Sequence, residues 1–136
     1  MNSRAKGCRA EREAAAPIVV TIPIPNRVLS PNARAHWRVV AAAKKALRME
    51  TCCAARNALD ACYGPMWKSA SVAVTWYTKT RRRPDEDNAR SSLKAAFDGL
   101  EDAYILANDR GLSHEPMVFE VDKANPRVVL TVREVK

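Results

Sequence analysis

The stretch SVAVTWYTKTRRRPDEDNARSSLKAAFDGLEDAY, residues 71–104, decides the architecture. Its first nine residues alternate, with Val72, Val74 and Trp76 on one side and Ala73, Thr75 and Tyr77 on the other, which predicts a strand over residues 71–79 with one buried face. Its second half repeats Leu93, Ala96, Phe97, Leu100 and Tyr104 at spacings of three and four, the stripe of an amphipathic helix over residues 88–104. Asp87 or Asn88 is suited to cap that helix.

Upstream, IVVTIPI at residues 18–24 has the same period of two, and Pro23 and Pro25 place the end of this strand at a sheet edge. A loop over residues 26–32 holds Ser30, Pro31 and Asn32. Residues 34–59 contain neither Gly nor Pro and are rich in Ala, Lys and Arg, so they predict a long helix, stopped by Gly64 and Pro65. Downstream of a polar loop at residues 108–111, strands are expected over residues 117–121 and 127–135, joined by a turn short enough for an antiparallel hairpin. The order β-α-β-α-β-β describes a single α+β domain, a mixed β-sheet with helices packed on it, over residues 17–136. Residues 1–16 read as a flexible basic tail.

The chain has 136 residues and 15.1 kDa, enough for one core and too little for a multidomain enzyme. With 47% apolar and 28% charged residues and a mean hydropathy of -0.33, wholesale disorder is excluded. No apolar run approaches the roughly 18 residues of a membrane span, so no membrane partner is expected. The first sixteen residues lack the apolar core of a secretory signal, which points to the cytoplasm. There Cys8, Cys52, Cys53 and Cys62 should be reduced, and the adjacent pair fits no zinc spacing.

Charge is distributed unevenly. Residues 1–48 hold ten bases and two acids, the full net +8 of the chain, and the remaining 88 residues hold thirteen of each. Such an asymmetry reads either as the footprint of a protein that meets a polyanion, most simply nucleic acid, or as a merely soluble basic surface. Arg38, Lys45 and Arg56 fall seven and eleven residues apart, on one stripe of the long helix, either along phosphates or as a solvated face.

Asp85 and Asp87 stand where strand gives way to helix, and in extended backbone alternate residues point to one side, so the pair can share a cation. Magnesium favours a few carboxylates with positions left for water and phosphate. Asp109, in the later polar loop, is a third candidate. The competing reading is a helix cap at Asp87 with Asp85 and Glu86 paired to Arg81, Arg82 and Arg83. A metal held beside three arginines is also the arrangement expected for phosphodiester hydrolysis, because negative charge builds on the phosphorane's oxygens as water attacks. Lys94, seven residues beyond Asp87, is the best placed cation on the helix, with a surface pair to Asp98 as its alternative, and Arg90 faces the same side. Trp37 and Trp67 are expected in the core or lining a groove. His36 and His114 stand alone and are not expected to be ligands, though His36, between Arg34 and Arg38, is placed to touch phosphate.

Residues 81–112 resemble the central signature of the RusA family of Holliday-junction resolvases, in which Asp-x-Asp-Asn opens a helix carrying a Lys and a later acidic pair closes the site. Residues 22–45, with Pro25, Ser30, Pro31, Asn32 and His36-Trp37-Arg38, are similar to the family's amino-terminal pattern. The resemblance spans residues 18–132 and implies a magnesium-dependent homodimeric endodeoxyribonuclease, with manganese as a substitute and no small-molecule cofactor. Such an enzyme binds four-way DNA junctions and resolves them by paired symmetric nicks in recombination and repair. By position it implies metal binding by Asp85, Asp87 and Asp109, catalysis by these with Lys94, and a supporting role for Asn32 and Asn88. Arg34, Arg38, Lys45, the Arg81 to Arg83 run and Arg90 complete the expected DNA surface. The resemblance to phage-type relatives places such an enzyme in a bacterial host's cytoplasm. Two positions depart from the pattern. Ser91 occupies the place where the family often has its Lys, and Asn108 replaces the first member of the later acidic pair. A junction-binding protein with a degraded site is the alternative these departures suggest.

Overall fold

The computed structural model describes residues 16–60 and 64–135. Most of the expected basic tail, with Cys8, and also Cys62 lie outside the described residues. Five strands form one mixed sheet: β1 (Ile18–Ile22), β2 (Ala70–Thr78), β3 (Leu112–His114), β4 (Val118–Val121) and β5 (Arg127–Glu134). Three helices accompany it: α1 (Trp37–Leu59), α2 (Glu86–Ser92) and α3 (Lys94–Asp102). The chain is thus a single α+β domain with a mixed sheet, as its periodicities predict.

β5 runs antiparallel to both β1 and β2 and lies between them, while β3 and β4 pair in parallel with the other edge of β2. Val128 pairs with Ile22 on one side and Trp76 on the other, so β1 and β2 end at the same edge of the sheet. The loops that follow them, the 3-10 turn Arg27–Leu29 and the arginine run, therefore emerge together. Alternation along β2 buries Val72, Val74 and Trp76 under the helices together with Val128, Leu130 and Val132 of β5, and α1 and α3 close that face.

Three expectations are corrected. The last two strands form no hairpin: β4 pairs with β2 from Thr75↔Val118 onward, and β5 lies on β2's opposite side. The five residues between them cross the end of β2, held by Asp122 N–H on the Thr78 carbonyl (2.8 Å) and by Arg127 Nη1 on the Asp122 carboxylate (2.7 Å). Five residues reach across one intervening strand as readily as they turn back, so loop length did not separate the two topologies.

The expected helix over residues 88–104 is two helices that break at Leu93, where the backbone is at φ -93°, ψ 0°. Ser91 and Ser92 precede the break, and Ser92 Oγ donates to the Asn88 carbonyl one turn back (2.9 Å), a bond that bends helices. The bend keeps Leu93, Ala96, Phe97 and Leu100 in the core and leaves Tyr104 41% exposed. The cap also differs: Asp85 is the N-cap, without a side-chain bond, and Asp87 is already helical.

The third correction is Trp37. Trp67 and Trp76 are buried, but Trp37 is 68% exposed and belongs to no core. Cys52 is buried and free, and burial pushes its thiol pKa up; Cys53 is exposed and free.

Candidate active site

α2 starts at the sheet edge where β1 and β2 end, and its first turn carries Glu86 and Asp87 next to the N-cap Asp85. Three carboxylates thus stand together at the start of this helix. Their fates differ. Glu86 is committed: Oε1 accepts from Arg90 Nη2 (3.2 Å) and from the Met117 N–H (3.0 Å), tying α2 to the segment between β3 and β4. Asp85 and Asp87 are exposed, and neither carboxylate has a hydrogen-bond or ion-pair partner among the described residues.

The pairing of Asp85 and Glu86 with the arginine run is therefore not what the structure contains. Arg83 instead lies over the Phe119 ring, 5.0 Å from its centre. Arg90 is only partly available to a ligand, because its Nη2 serves Glu86 and the Glu115 carbonyl (3.4 Å).

Asp85 and Asp87 open onto different hollows. Because Asp85 is extended and Asp87 helical, the rule that alternate residues share a side does not hold across the helix start. Asp87 lines a cleft of about 480 Å³ with Ser91, Lys94, Asp98 and His114. Asp85 lines a second, of about 510 Å³, with Asn88, Arg82, Arg83 and the first loop's Asn26 and Arg27. A third, of about 350 Å³, shares Ser91, Lys94 and Asp98 with the first and adds Lys44 and Lys45 from α1.

Lys94 is exposed and forms no ion pair with Asp98 or with another described carboxylate, so the simple surface pair is absent. Arg48 of the third hollow is spent on Asp102, which accepts from Nε and from Nη2 (2.8 Å). That pairing holds the Asp102 pKa below the usual carboxylate range and raises that of Arg48.

Asp109 begins the 3-10 turn Asp109–Gly111, which rests on α3 and leads three residues later to Leu112, a residue of the Asp87 cleft. Its side chain lies outside the described part. Gly111 lets this turn approach the Lys68 carbonyl, where a Cβ would collide. Among the described residues no three His, Cys, Asp or Glu side chains gather into a metal site. The donors that are described, two exposed carboxylates without protein partners, have the hard-oxygen chemistry that suits magnesium.

Asn32, Arg34 and Arg38 lie in or just after the first loop and are exposed; Lys45 faces the third hollow and Arg81 a small hollow beside Phe119. His114 was not expected in the site. β3, three residues long, carries it to the cleft beside the Phe97 ring (4.8 Å between centres), and burial there, helped by the Arg90 charge, lowers its pKa. No local pattern marks so short a strand, so nothing in the sequence signalled it.

No helix among the described residues is long and apolar enough to cross a membrane. No family model matches the chain. It is 34% identical over 114 residues to an uncharacterized protein of Xylella fastidiosa (strain Temecula1 / ATCC 700964), a match covering 83% of this chain and 74% of that protein. With that identity over that share of both chains, this chain belongs to the same family as the Xylella fastidiosa protein.

Proposed function

We propose that the chain is a RusA-like endodeoxyribonuclease that resolves four-way DNA junctions as a homodimer. The observation that carries this reading is the pair of uncommitted carboxylates, Asp85 and Asp87, at the start of a helix flanked by hollows lined with Arg82, Arg83, Lys44, Lys45 and Lys94. Exposed carboxylates without protein partners, set among cations, leave both signs of charge available to metal-assisted phosphodiester chemistry.

In this reading Asp85 and Asp87, exposed and without partners and so able to turn from their separate hollows, would hold a magnesium ion together with Asp109, and that ion would supply Lewis-acid stabilisation of the phosphate under attack. Arg82 and Arg83 hold neighbouring phosphates. Lys94 offsets the negative charge that builds on the phosphoryl oxygens as a water oxygen bonds to phosphorus and the bond to the sugar oxygen breaks; the water's proton leaves to solvent and the sugar oxygen regains one. Two-fold symmetric nicking of a junction needs two such sites, hence the dimer.

The test is cleavage of a labelled four-way junction beside linear duplex, in magnesium, manganese or EDTA, by wild type and Asp87→Asn. Paired nicks on the junction alone are expected, absent in EDTA, with the variant slower by about a hundredfold or more yet binding the junction as tightly or more tightly. Tight binding without nicks in either metal would instead make this a binding protein with a degraded site. Ser91, which lines the Asp87 cleft where the family often has its Lys, is the residue that outcome would implicate.

A further inference from the structure

We infer that Trp37 is a stacking platform for an unpaired nucleobase, the element by which this chain would recognise bases opened at a branch point or in a single-stranded arm rather than uninterrupted duplex; this rests on the nuclease reading. An indole left 68% exposed contributes little to folding, whereas the other two tryptophans are buried. Two neighbours in the chain lie against it. His36 stacks along it with 5.7 Å between ring centres and 28° between planes, and His36 Nδ1 accepts from the Arg38 N–H (3.2 Å) as the N-cap of α1. The Arg38 guanidinium lies 5.3 Å from the indole centre.

The surroundings select the occupant. No carboxylate occurs between residues 16 and 49, and neither Arg34 nor Arg38 has an ion-pair partner among the described residues. An exposed indole with the unpaired Arg38 guanidinium over its ring, and Arg34 three residues before it in the chain, suits a base with its adjoining phosphate. A second copy of the same face would bring like charges together. The loop after β1, whose Asn26 and Arg27 share a hollow with Asp85, leads along the chain into α1, which begins at Trp37.

The experiment compares wild type, Trp37→Ala and Trp37→Phe for affinity to a fork with single-stranded arms, to a four-way junction and to a linear duplex, without metal. Tryptophan emission and sedimentation are followed alongside. Fork affinity should fall about tenfold in the alanine variant and recover largely in the phenylalanine variant, with duplex affinity changed less than about twofold. The fork should quench wild-type emission and leave that of both variants, whose remaining tryptophans are buried, nearly unchanged. Unaltered fork affinity, or wild-type quenching retained by the variants, would overturn the inference and leave the nuclease reading standing. A change in assembly with DNA affinity intact would overturn it in favour of an interface between copies. Failure of wild type to bind any of the three DNAs would remove both. If the alanine variant does not fold, quenching in wild type against the phenylalanine variant decides alone.

Discussion

Lys94 stands two turns beyond Asp87, but the chain bends between them at Leu93, so the spacing of seven does not by itself align them. They meet because both line one cleft, with Ser91 between. Without a carboxylate partner, the Lys94 ammonium keeps its charge for a ligand. In the proposed reaction, Lys94→Met should slow single-turnover junction cleavage by about a hundredfold while moving junction affinity less than about threefold, and Lys94→Arg should restore part of the rate. Equal losses in rate and binding would make Lys94 a phosphate anchor only. At this scale the sequence was legible in residue type. Asp85, Asp87 and Lys94 stand out in the chain, whereas the direction of each side chain depended on a cap at Asp85 and a bend at Leu93. Trp37 shows the limit most plainly, since hydrophobicity alone places it in a core that α1 turns it away from.

Elements were legible where one periodicity covered the whole segment. β2 and α1 are long and regular, and lie within a residue or three of where their patterns place them. The second helix was misjudged because its apolar stripe continues through the bend: Leu93, Ala96, Phe97 and Leu100 stay buried on either reading. The β4 and β5 pairing depended on partners far away in sequence, which no local pattern encodes. The contact that fixes α3 under α1 was not legible either. A Cβ at Gly99 would stand 2.5 Å from the Arg48 carbonyl and 2.9 Å from Thr51 Cβ, so the two helices cross with nothing between them at that point. Both obstacles belong to α1, one of them backbone, and neither can swing aside as a flexible side-chain end would. Gly99→Ala should therefore destabilise the fold by about 1–3 kcal/mol in chemical denaturation, despite Ala being the better helix former. The Arg48 and Asp102 pair beside this crossing is partly solvated, with 49% and 37% of each side chain exposed, and its loss should cost less than the crossing itself.

Across the whole molecule, charge rather than shape separates the edge that carries the candidate site from the rest. The net +8 resides in residues 1–48, and those among them that the structure describes include Arg27 beside Asp85 and Lys44 and Lys45 beside Lys94. This distribution was legible at once, because it needs only a count along the chain; that the cations border the acidic helix start was not, because it depends on β1 and β2 ending at one edge. The arrangement separates two contributions to binding that can be measured apart. Each phosphate neutralised by a lysine releases counterions and steepens the fall of log affinity with log salt by about 0.9 on duplex DNA. Arg48 is spent on Asp102, so Lys44 and Lys45 are the α1 cations of that hollow left for phosphate. A Lys44→Gln, Lys45→Gln double variant should lower the salt slope by up to about two, to the same extent on junction and linear duplex, because phosphates carry no branch information. Trp37→Ala should leave the slope unchanged while lowering affinity for unpaired DNA, since stacking releases no ions. An unchanged slope in the double lysine variant would place the DNA path elsewhere, confined to the hollow of Asp85 and the arginine run.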